Sequence, residues 1–513
     1  MTAAPLPHIV VQAGGRGSRL RHHTWNKPKC LVSVNGKPML YHLFERFKGS
    51  RFTVIGDYAF DQLEKYLAVN PPGVTYTLVR AAGSGTCAGI AQALTGIEPD
   101  APLVIVWSDL IVGDLPAWPD GQRPVVCTTD AFTCRWSVGD DGRISETLSS
   151  TRGIPGLFHF PRKDQLPPPP AQGEFVEWVA QHVADPVALH CPDLRELGDF
   201  TTIESQNEAA GFSRFFNRVT VGEDTVEKIA IDPAYADLIG KEIDWYRGVA
   251  ALGFRRIPAV VQEQPLVLQR IHGEHLYRID DLTPREQRAV FADYLDSLLA
   301  LHDKASEPAV TEDIREVYLQ KTIARVEAVA SLIPGFDRAS TTINGKKCRN
   351  VFHPQYRSML EEITGQLIPE RFTAIHGDPT FSNTLVDDKL RVWFIDPRGY
   401  FARRGLMGDP WYDFAKVYYS AVGGYDAFNR RKFKLHVDDE TVEVLLEPPR
   451  YARTAEQVFS HYFPQDMARI RAIHGLIWLA LSGYARDDLD SVIGAFYLGL
   501  YWLEDSARLP FIR

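Results

Sequence analysis

The chain is poor in cysteine, with six among 513 residues and no two spaced as Cys-x-x-Cys. That excludes a disulfide-stapled scaffold and a zinc site built on thiolate pairs, and it fits a reducing compartment. Long apolar runs are missing too: no stretch of 18 apolar residues occurs, so no membrane insertion is expected. The opening residues MTAAPLPHIVV lack the basic flank and apolar core of a secretory leader, and the expected localisation is cytoplasmic. Charge of one sign is not in excess. Lys plus Arg number 56 and Asp plus Glu 65, a net charge of −9, which argues against nucleic acid as a partner. A local basic pocket for a small phosphorylated ligand stays compatible with that balance. There is no internal repeat and no low-complexity tract. What is present is ordinary for a globular protein, with 45% hydrophobic, 11% aromatic and 24% charged residues. The length corresponds to roughly three to four domain-sized units.

The first hundred residues alternate strand and helix signals. Apolar runs at 9–12, 51–55, 74–79 and 102–107 are separated by helical spacing at 39–47, 58–67 and 86–94. Helices between strands imply right-handed crossovers and a parallel sheet, whose ligands sit beyond the C-terminal strand ends. Residues 12–21 and 108–109 would lie there. After about residue 211 the pattern changes. A hairpin signal (215–221 and 225–231 around Gly222-Glu223-Asp224), a helix over 234–252 and two strands at 259–261 and 266–271 predict a small β lobe. Amphipathic helices follow over 284–303, 311–333 and 354–367, then a β-rich insert over 372–396, then helices over 409–421 and 465–506. The expected fold class is α/β with two parts. An N-terminal Rossmann-like, mostly parallel sheet is followed by a C-terminal bilobal, kinase-like α+β domain.

Gln12–Lys29 reads QAGGRGSRLRHHTWNKPK. It is no dinucleotide fingerprint, because Leu20 stands where a third glycine belongs, and no Walker loop, because no Gly-Lys-Ser/Thr closes it. It offers glycine amides that can approach phosphates, followed by two cations, Arg19 and Lys29. Attack at the α-phosphorus of a nucleoside triphosphate needs donors on the outer phosphates and a cation on the developing charge. The run Ala13-Gly14-Gly15-x-Gly17-x-Arg19-Leu20, with Asn26-Lys27-Pro28-Lys29 and Gly36-Lys37-Pro38-Met39, resembles the signature of sugar-phosphate nucleotidyltransferases. Gly85-Thr86-Cys87-Ala88-Gly89-Ile90 is similar to the family's segment near the base or sugar, and Trp107-Ser108-Asp109 to the position of its first metal-binding Asp. Asp199-Phe200-Thr201-Thr202-Ile203-Glu204 resembles the segment holding the second. The resemblance implies nucleotide binding by Ala13, Gly14, Gly15, Gly17, Gly85 and Thr86, catalytic cations Arg19 and Lys29, and Mg²⁺ on Asp109 and Asp199. The run Pro167–Pro170 reads either as an interdomain linker or as a loop inside this domain, and the assignment of Asp199 favours the loop. His22 and His23 read as solvated loop residues, with a substrate-phosphate contact as the alternative.

Ala374–Asn383 reads AIHGDPTFSN, and Phe394-Ile395-Asp396-Pro397-Arg398 ends a later strand. Phosphoryl transfer to a hydroxyl asks for a carboxylate to accept the proton, and for an Asn and an Asp to hold metal. The pattern resembles the aminoglycoside phosphotransferase and choline kinase group. That resemblance implies Asp378 as catalytic base and Asn383 and Asp396 as Mg²⁺ ligands, with the segment Gly408–Asp413 bracing the loop. Lys228 in a strand and Glu242 fourteen residues later in a helix have the spacing of the kinase Lys–Glu pair. Gln269–Gly273, with Gln269 and Ile271, would be the adenine hinge. No GxGxxG precedes Lys228, only Ser213–Asn217 and Gly222.

The expected domains are 1–208, nucleotidyltransferase, and 209–513, kinase-like, with a small lobe to about 275 and a helical lobe from about 276. The pair suggests consecutive reactions. ATP phosphorylates a small hydroxyl compound, a sugar or sugar alcohol being favoured. A second NTP, CTP or UTP ahead of GTP, then condenses with that phosphate, supplying a precursor for a surface polysaccharide or lipid. The alternatives are an aminoalcohol or phosphonate substrate, with Trp245, Tyr400, Trp411 and Tyr412 as a choline cage, and a regulatory pseudo-kinase. Partners are small-molecule substrates, and homo-oligomerisation stays open.

Overall fold

The computed structural model describes residues 5–119, 122–210 and 217–506; of the stretch 213–217 ahead of Lys228, only Asn217 falls among them. The chain divides into two compact units. One is Met1–Ala209 with Arg486–Asp490, the other Ala210–Ala485 with Ser491–Arg513.

In the first unit, Ile9, Val10 and Val11 are consecutive apolar residues and all three are buried. A strand with both faces apolar belongs inside a covered sheet, and His8–Gln12 is central in one of seven strands. The order is Val187–His190, Val125–Thr128, Leu157–Phe160, Leu103–Trp107, His8–Gln12, Arg51–Gly56, Thr75–Arg80. His8–Gln12 runs parallel to both neighbours, with Ile9 opposite Phe52 on one side and Val104 on the other. Only Leu157–Phe160 runs antiparallel to its two neighbours. Helices Thr86–Leu94 and Phe175–His182 contribute Ile90, Phe175 and Val179 to a core shared with Val10, Ile55, Ile105 and Phe158. Pro167–Pro170 lies inside this unit, with Trp178 Nε1 donating to the Pro167 carbonyl. The unit also holds a segment from far along the chain. Lys27, wholly enclosed, donates to Asp488 and Asp490, at 2.7 Å each.

In the second unit, Asn217–Val221, Thr225–Ala230, Leu266–Gln269 and Val260–Gln262 form an antiparallel sheet in that order, followed in contact by helix Ala236–Ala251. Helix Pro284–His302 opens the larger lobe with a capping box, Thr283 accepting from the Glu286 amide and Glu286 reaching back. Three features differ from the sequence expectation. The helix expected over 311–333 widens to i→i+5 turns over Arg315–Gln320 before Lys321–Glu327 resumes the α form. The helix expected over 465–506 is two, Met467–Ser482 and Leu489–Ser506, and Asp488 and Asp490 at their junction are the partners of Lys27. A four-stranded sheet of Lys346–Arg349, Ser340–Ile343, Thr441–Leu446 and Phe433–Val437 stands in stretches for which the sequence pattern named no element. Its strands alternate, as in Phe433 and Leu435 buried against Lys434 and His436 exposed, but four to six residues is too short to outweigh the surrounding helical period.

Candidate active sites

The glycine-rich loop leaves the C-terminal end of His8–Gln12. The Ala13 amide donates to the Ile55 carbonyl at 2.9 Å, so the loop begins held against the neighbouring strand. Gly17 has φ +65°, and a Cβ there would lie 3.1 Å from Cβ of Lys29, so the glycine serves both the turn and the approach of the lysine. Lys29 pairs with Asp109, which follows strand Leu103–Trp107, and both side chains are nearly buried. Arg19 is exposed and stands 3.5 Å from Glu196.

Glu196 was not singled out in the sequence. Strand Leu194–Glu196 runs antiparallel to Leu110–Val112 with Glu196 opposite Leu110, and the Leu197 amide donates to the Asp109 carbonyl at 2.8 Å. That register brings the Glu196 and Asp109 carboxylates into mutual influence. Burial raises the Glu196 pKa and the Asp109 charge adds to it, against the pull of Arg19 and Lys29. Asp199 faces another task. Its carboxylate accepts from the Thr202 amide at 3.0 Å and hydroxyl at 2.5 Å at the start of helix Phe200–Ala210. Those hydrogen bonds lower its pKa. The sequence signal for Glu196 lay three residues upstream, where the strand ends and Gly198 begins the turn.

Gly85 adopts φ +79°, and a Cβ would sit 2.4 Å from the Gly173 carbonyl oxygen. Thr86 Oγ1 accepts from the Phe175 amide at 2.7 Å, so the Gly85–Thr86 corner is clamped by the chain that follows Pro170. His23 is buried, 3.0 Å from Glu204 and stacked near Phe200 with His22, which corrects the expectation of solvated loop residues.

In the second unit, Lys228 and Glu242 are both buried, with Nζ 2.8 and 3.1 Å from the two carboxylate oxygens. Lys228 also pairs with Asp396. Burial works against the ammonium, but Asp396 and Glu242 outweigh it and hold its pKa above the ordinary value. Asp396 has φ +56°, a left-handed conformation that a non-glycine residue keeps only when its surroundings enforce it. Its amide donates to the Tyr246 hydroxyl, one helical turn past Glu242.

Asp378 leaves the loop after Arg371–Ala374. Asn383 Nδ2 donates to the Asp378 carbonyl at 2.8 Å and carboxylate at 3.0 Å, and Lys416 Nζ lies 2.9 Å from the other carboxylate oxygen. The Ile395 amide donates to the Asn383 carbonyl and His376 Nε2 bonds the Ile395 carbonyl, joining this group to the Asp396 turn. Asp413, fully buried, accepts from the amides of His376 and Gly377 at 2.8 and 2.7 Å, which is the bracing role expected of its segment. The hinge segment runs beside the loop's outgoing strand, with amide bonds both ways between Glu274 and Val386. Gln269 is exposed and Ile271 partly exposed there.

The expected choline cage is not assembled as one. Trp245 is a core residue donating to the Ile375 carbonyl at 2.6 Å. The other rings are already faced by cations, Tyr400 by Arg398 at 4.2 Å and Lys241 at 5.0 Å, and Trp411 by Arg469 at 5.3 Å.

No helix among the described residues is long and apolar enough to cross a membrane. The sequence matches the family model of MobA-like NTP transferase domains over residues 9–116 and that of the phosphotransferase enzyme family over 204–471. Curated relatives include the bifunctional protein GlmU of Cellvibrio japonicus, 24% identical over 242 residues, covering 41% of this chain and 52% of the relative. Another is the UTP–glucose-1-phosphate uridylyltransferase AglF of Haloferax volcanii, 54% identical over 37 residues, 7% of this chain and 15% of that one. The chain thus spans about half the length of this GlmU and 15% of AglF. Among solved structures, the inositol-1-phosphate CTP transferase of T. maritima is 15% identical, covering 40% of this chain and 95% of that one, at TM-score 0.32. The CTP:phosphocholine cytidylyltransferase LicC of Streptococcus pneumoniae is 19% identical, covering 40% and 99%, also at 0.32. Matched over residues 204–471, more than half of its length, the chain belongs to the phosphotransferase enzyme family, and it carries a MobA-like NTP transferase domain ahead of that region.

Proposed function

We propose that the chain is a bifunctional kinase and nucleotidyltransferase acting in sequence. Residues 209–513 transfer the γ-phosphoryl group of ATP to a small hydroxyl compound. Asp378 accepts the hydroxyl proton, the oxygen bonds to the γ-phosphorus, and ADP leaves. Residues 1–208 then join that phosphate to a second NTP, CTP or UTP in preference. A phosphate oxygen attacks the α-phosphorus, pyrophosphate leaves, and Arg19 and Lys29 meet the charge that develops. The observation that carries the reading is the set Lys228, Glu242 and Asp396, with Asp378, Asn383 and Lys416 bonded into the adjoining turn. A pseudo-kinase has no need to keep all of these.

Both donor sets fit Mg²⁺, which prefers hard oxygen ligands and keeps several waters. Asn383 uses its amide N–H on Asp378, so its carbonyl oxygen, with the Asp396 carboxylate, would hold the ion. In the first unit we take Asp109 and Glu196 as the ligands in place of the Asp199 that the resemblance implies, because Asp199 is engaged at the helix start, although its charge also raises the Glu196 pKa. Bound there, the ion would offset phosphate charge.

Gln269 and Ile271 would flank adenine, and Ala13–Gly17 with Gly85 and Thr86 would line the second nucleotide. A sugar or sugar alcohol is the favoured acceptor, because Gly85–Ile90 resembles the sugar nucleotidyltransferases. The product would be an activated precursor for a surface polysaccharide, made in the cytoplasm. The test supplies the hydroxyl compound, ATP and the NTP to the wild type and to Asp378→Ala. The wild type should form the nucleoside-diphosphate product; the sequential scheme falls if the variant forms it equally from the unphosphorylated compound.

A further inference from the structure

Beside the Asp378 loop the second unit gathers more positive charge than its own carboxylates neutralise. Arg398 lies 4.2 Å from the Tyr400 ring centre and donates to the Tyr412 hydroxyl at 3.0 Å. Lys321, first residue after the widened turns of Arg315–Gln320, lies 5.8 Å from the same Tyr400 ring. Lys416 lies 5.8 Å from the Tyr412 ring, and Arg325 stands one helical turn beyond Lys321. Among the described residues Asp378 pairs with Lys416, whereas no carboxylate forms an ion pair with Lys321, Arg325 or Arg398.

The cations therefore act on one another, although Arg398, against the cost of burial, is held above its ordinary value by Tyr412, Tyr400 and Asp378. Burial lowers the Lys321 pKa to about 7, and Arg398, Arg325 and Lys416 push it the same way, with only Glu316 opposing. Arg325 is lowered too, by burial and by Arg398, against the pull of Tyr412, Tyr400 and Tyr484. Enclosing like charges without counter-charge is costly, and a protein keeps such a group where a ligand brings the missing charge. The place is specific. Lys416 touches Asp378, the proposed base, so an acceptor with its hydroxyl at Asp378 extends toward Arg398 and Lys321. The group stands apart from Lys228, whose charge is already matched by Glu242 and Asp396. A planar guanidinium stacked on a tyrosine presents a bidentate fork suited to a carboxylate, phosphonate or phosphate.

We infer that the hydroxyl compound phosphorylated by the C-terminal unit carries an oxyanion, held by Lys321 and Arg398 over Tyr400 and Tyr412. The inference rests on the kinase reading and narrows its substrate to an anionic polyol, sugar acid or hydroxyalkyl phosphonate. A cationic aminoalcohol is disfavoured, since each of these rings is faced by a cation already.

The experiment has two arms on the full chain. In the first, ADP release is measured with ethylene glycol, choline, glycerate and 2-hydroxyethylphosphonate. The expected result is turnover of glycerate or the phosphonate with kcat/KM at least about tenfold above the neutral and cationic compounds. Which of the two is preferred tells the carboxylate from the phosphonate. Lys321→Gln and Arg398→Lys should raise KM for the anionic compound about tenfold and leave KM for ATP near its original value. Equal use of choline or ethylene glycol, or an unchanged KM in both variants, overturns the oxyanion site while leaving the kinase. In the second arm, methylphosphonate is added at millimolar concentration with a non-hydrolysable ATP analogue and Mg²⁺, and Tm is read. A rise in the wild type that is lost in both variants supports the site even if no compound releases ADP, in which case the kinase reading is what fails. No rise in the wild type, or an equal rise in the variants, overturns the site.

Discussion

Lys416 reaches from helix Pro410–Ala421 to Asp378 at 2.9 Å, so the proposed base is held by a residue seven positions into the following helix. Burial opposes the Lys416 charge, and Asp378 more than restores it, leaving the pKa above the ordinary value. We expect Lys416→Met to lower kcat for ADP release by about a hundredfold, the scale of a misplaced catalytic group. KM for ATP should change little. Steady-state kinetics over a range of pH checks this, because loss of the ammonium beside the base should move the acidic limb of the profile as well as its height.

Glu196 and Asp199 differ in their surroundings in the first unit, Glu196 facing Asp109 and Arg19 while Asp199 accepts from Thr202. Glu196→Gln should cost about 10²–10³ in pyrophosphate release, since it removes one of the two carboxylates proposed to hold the ion. Asp199→Asn keeps a side-chain acceptor at the helix start and should cost under about 1 kcal/mol of stability, with activity near wild type. Pyrophosphate release and a melting curve on both variants decide the matter. Full activity in Glu196→Gln with loss in Asp199→Asn would reverse the assignment of the second metal ligand.

Asp409 supplies a pH dependence whose sign follows from burial. It is fully buried, accepts from Tyr318 at 2.6 Å, and its pKa is pushed up to about 7. The folded carboxyl keeps a proton that the unfolded one releases near pH 4. Its contribution to stability is therefore present below about pH 4 and is lost as pH rises through about 7, by at most a few kcal/mol. Asp426, raised to about 6 by burial, has the same sign. Asp409→Asn keeps the cap on the Trp411 amide and removes the buried charge, so its Tm should fall less than that of the wild type between pH 5 and pH 8. A parallel fall in both proteins would contradict this.

Lys228 has two buried or half-buried carboxylate partners, so its removal leaves both without counter-charge. Lys228→Met should destabilise the C-terminal unit by about 3–5 kcal/mol and abolish ADP release. Lys228→Met with Glu242→Gln should recover part of the Tm and none of the ADP release. A denaturation series on the single and double variants measures the coupling.

Much of both sites is legible in order along the chain. The glycine loop, Lys29, Asp109 and the run from His376 to Asn383 lie where strands end, and strand ends follow from apolar periodicity. The Lys228–Glu242 pair was legible from its spacing together with the downstream loop that resembles the kinase group. Glu196 and Lys416 were not legible, for the same reason. Each enters its site through a pairing between segments far apart in sequence, the first by strand register with Leu110–Val112, the second by a helix crossing the Asp378 loop. Arg398 was legible as a residue beside Asp396, but the crowding of Lys321 and Arg325 around it was not.

The scarcity of cysteine, the missing apolar runs and the near balance of charge determined the class of molecule. The motifs determined two families of chemistry, because loops that hold phosphates need particular side chains at short range. Tertiary structure decided where buried charge is compensated. Lys27 finds Asp488 and Asp490 more than 450 residues away, Lys228 finds Asp396 across the lobe, and Lys321 forms no ion pair among the described residues. Electrostatic interactions in a low-dielectric interior depend on distances through space, and those distances are set only when the chain has folded.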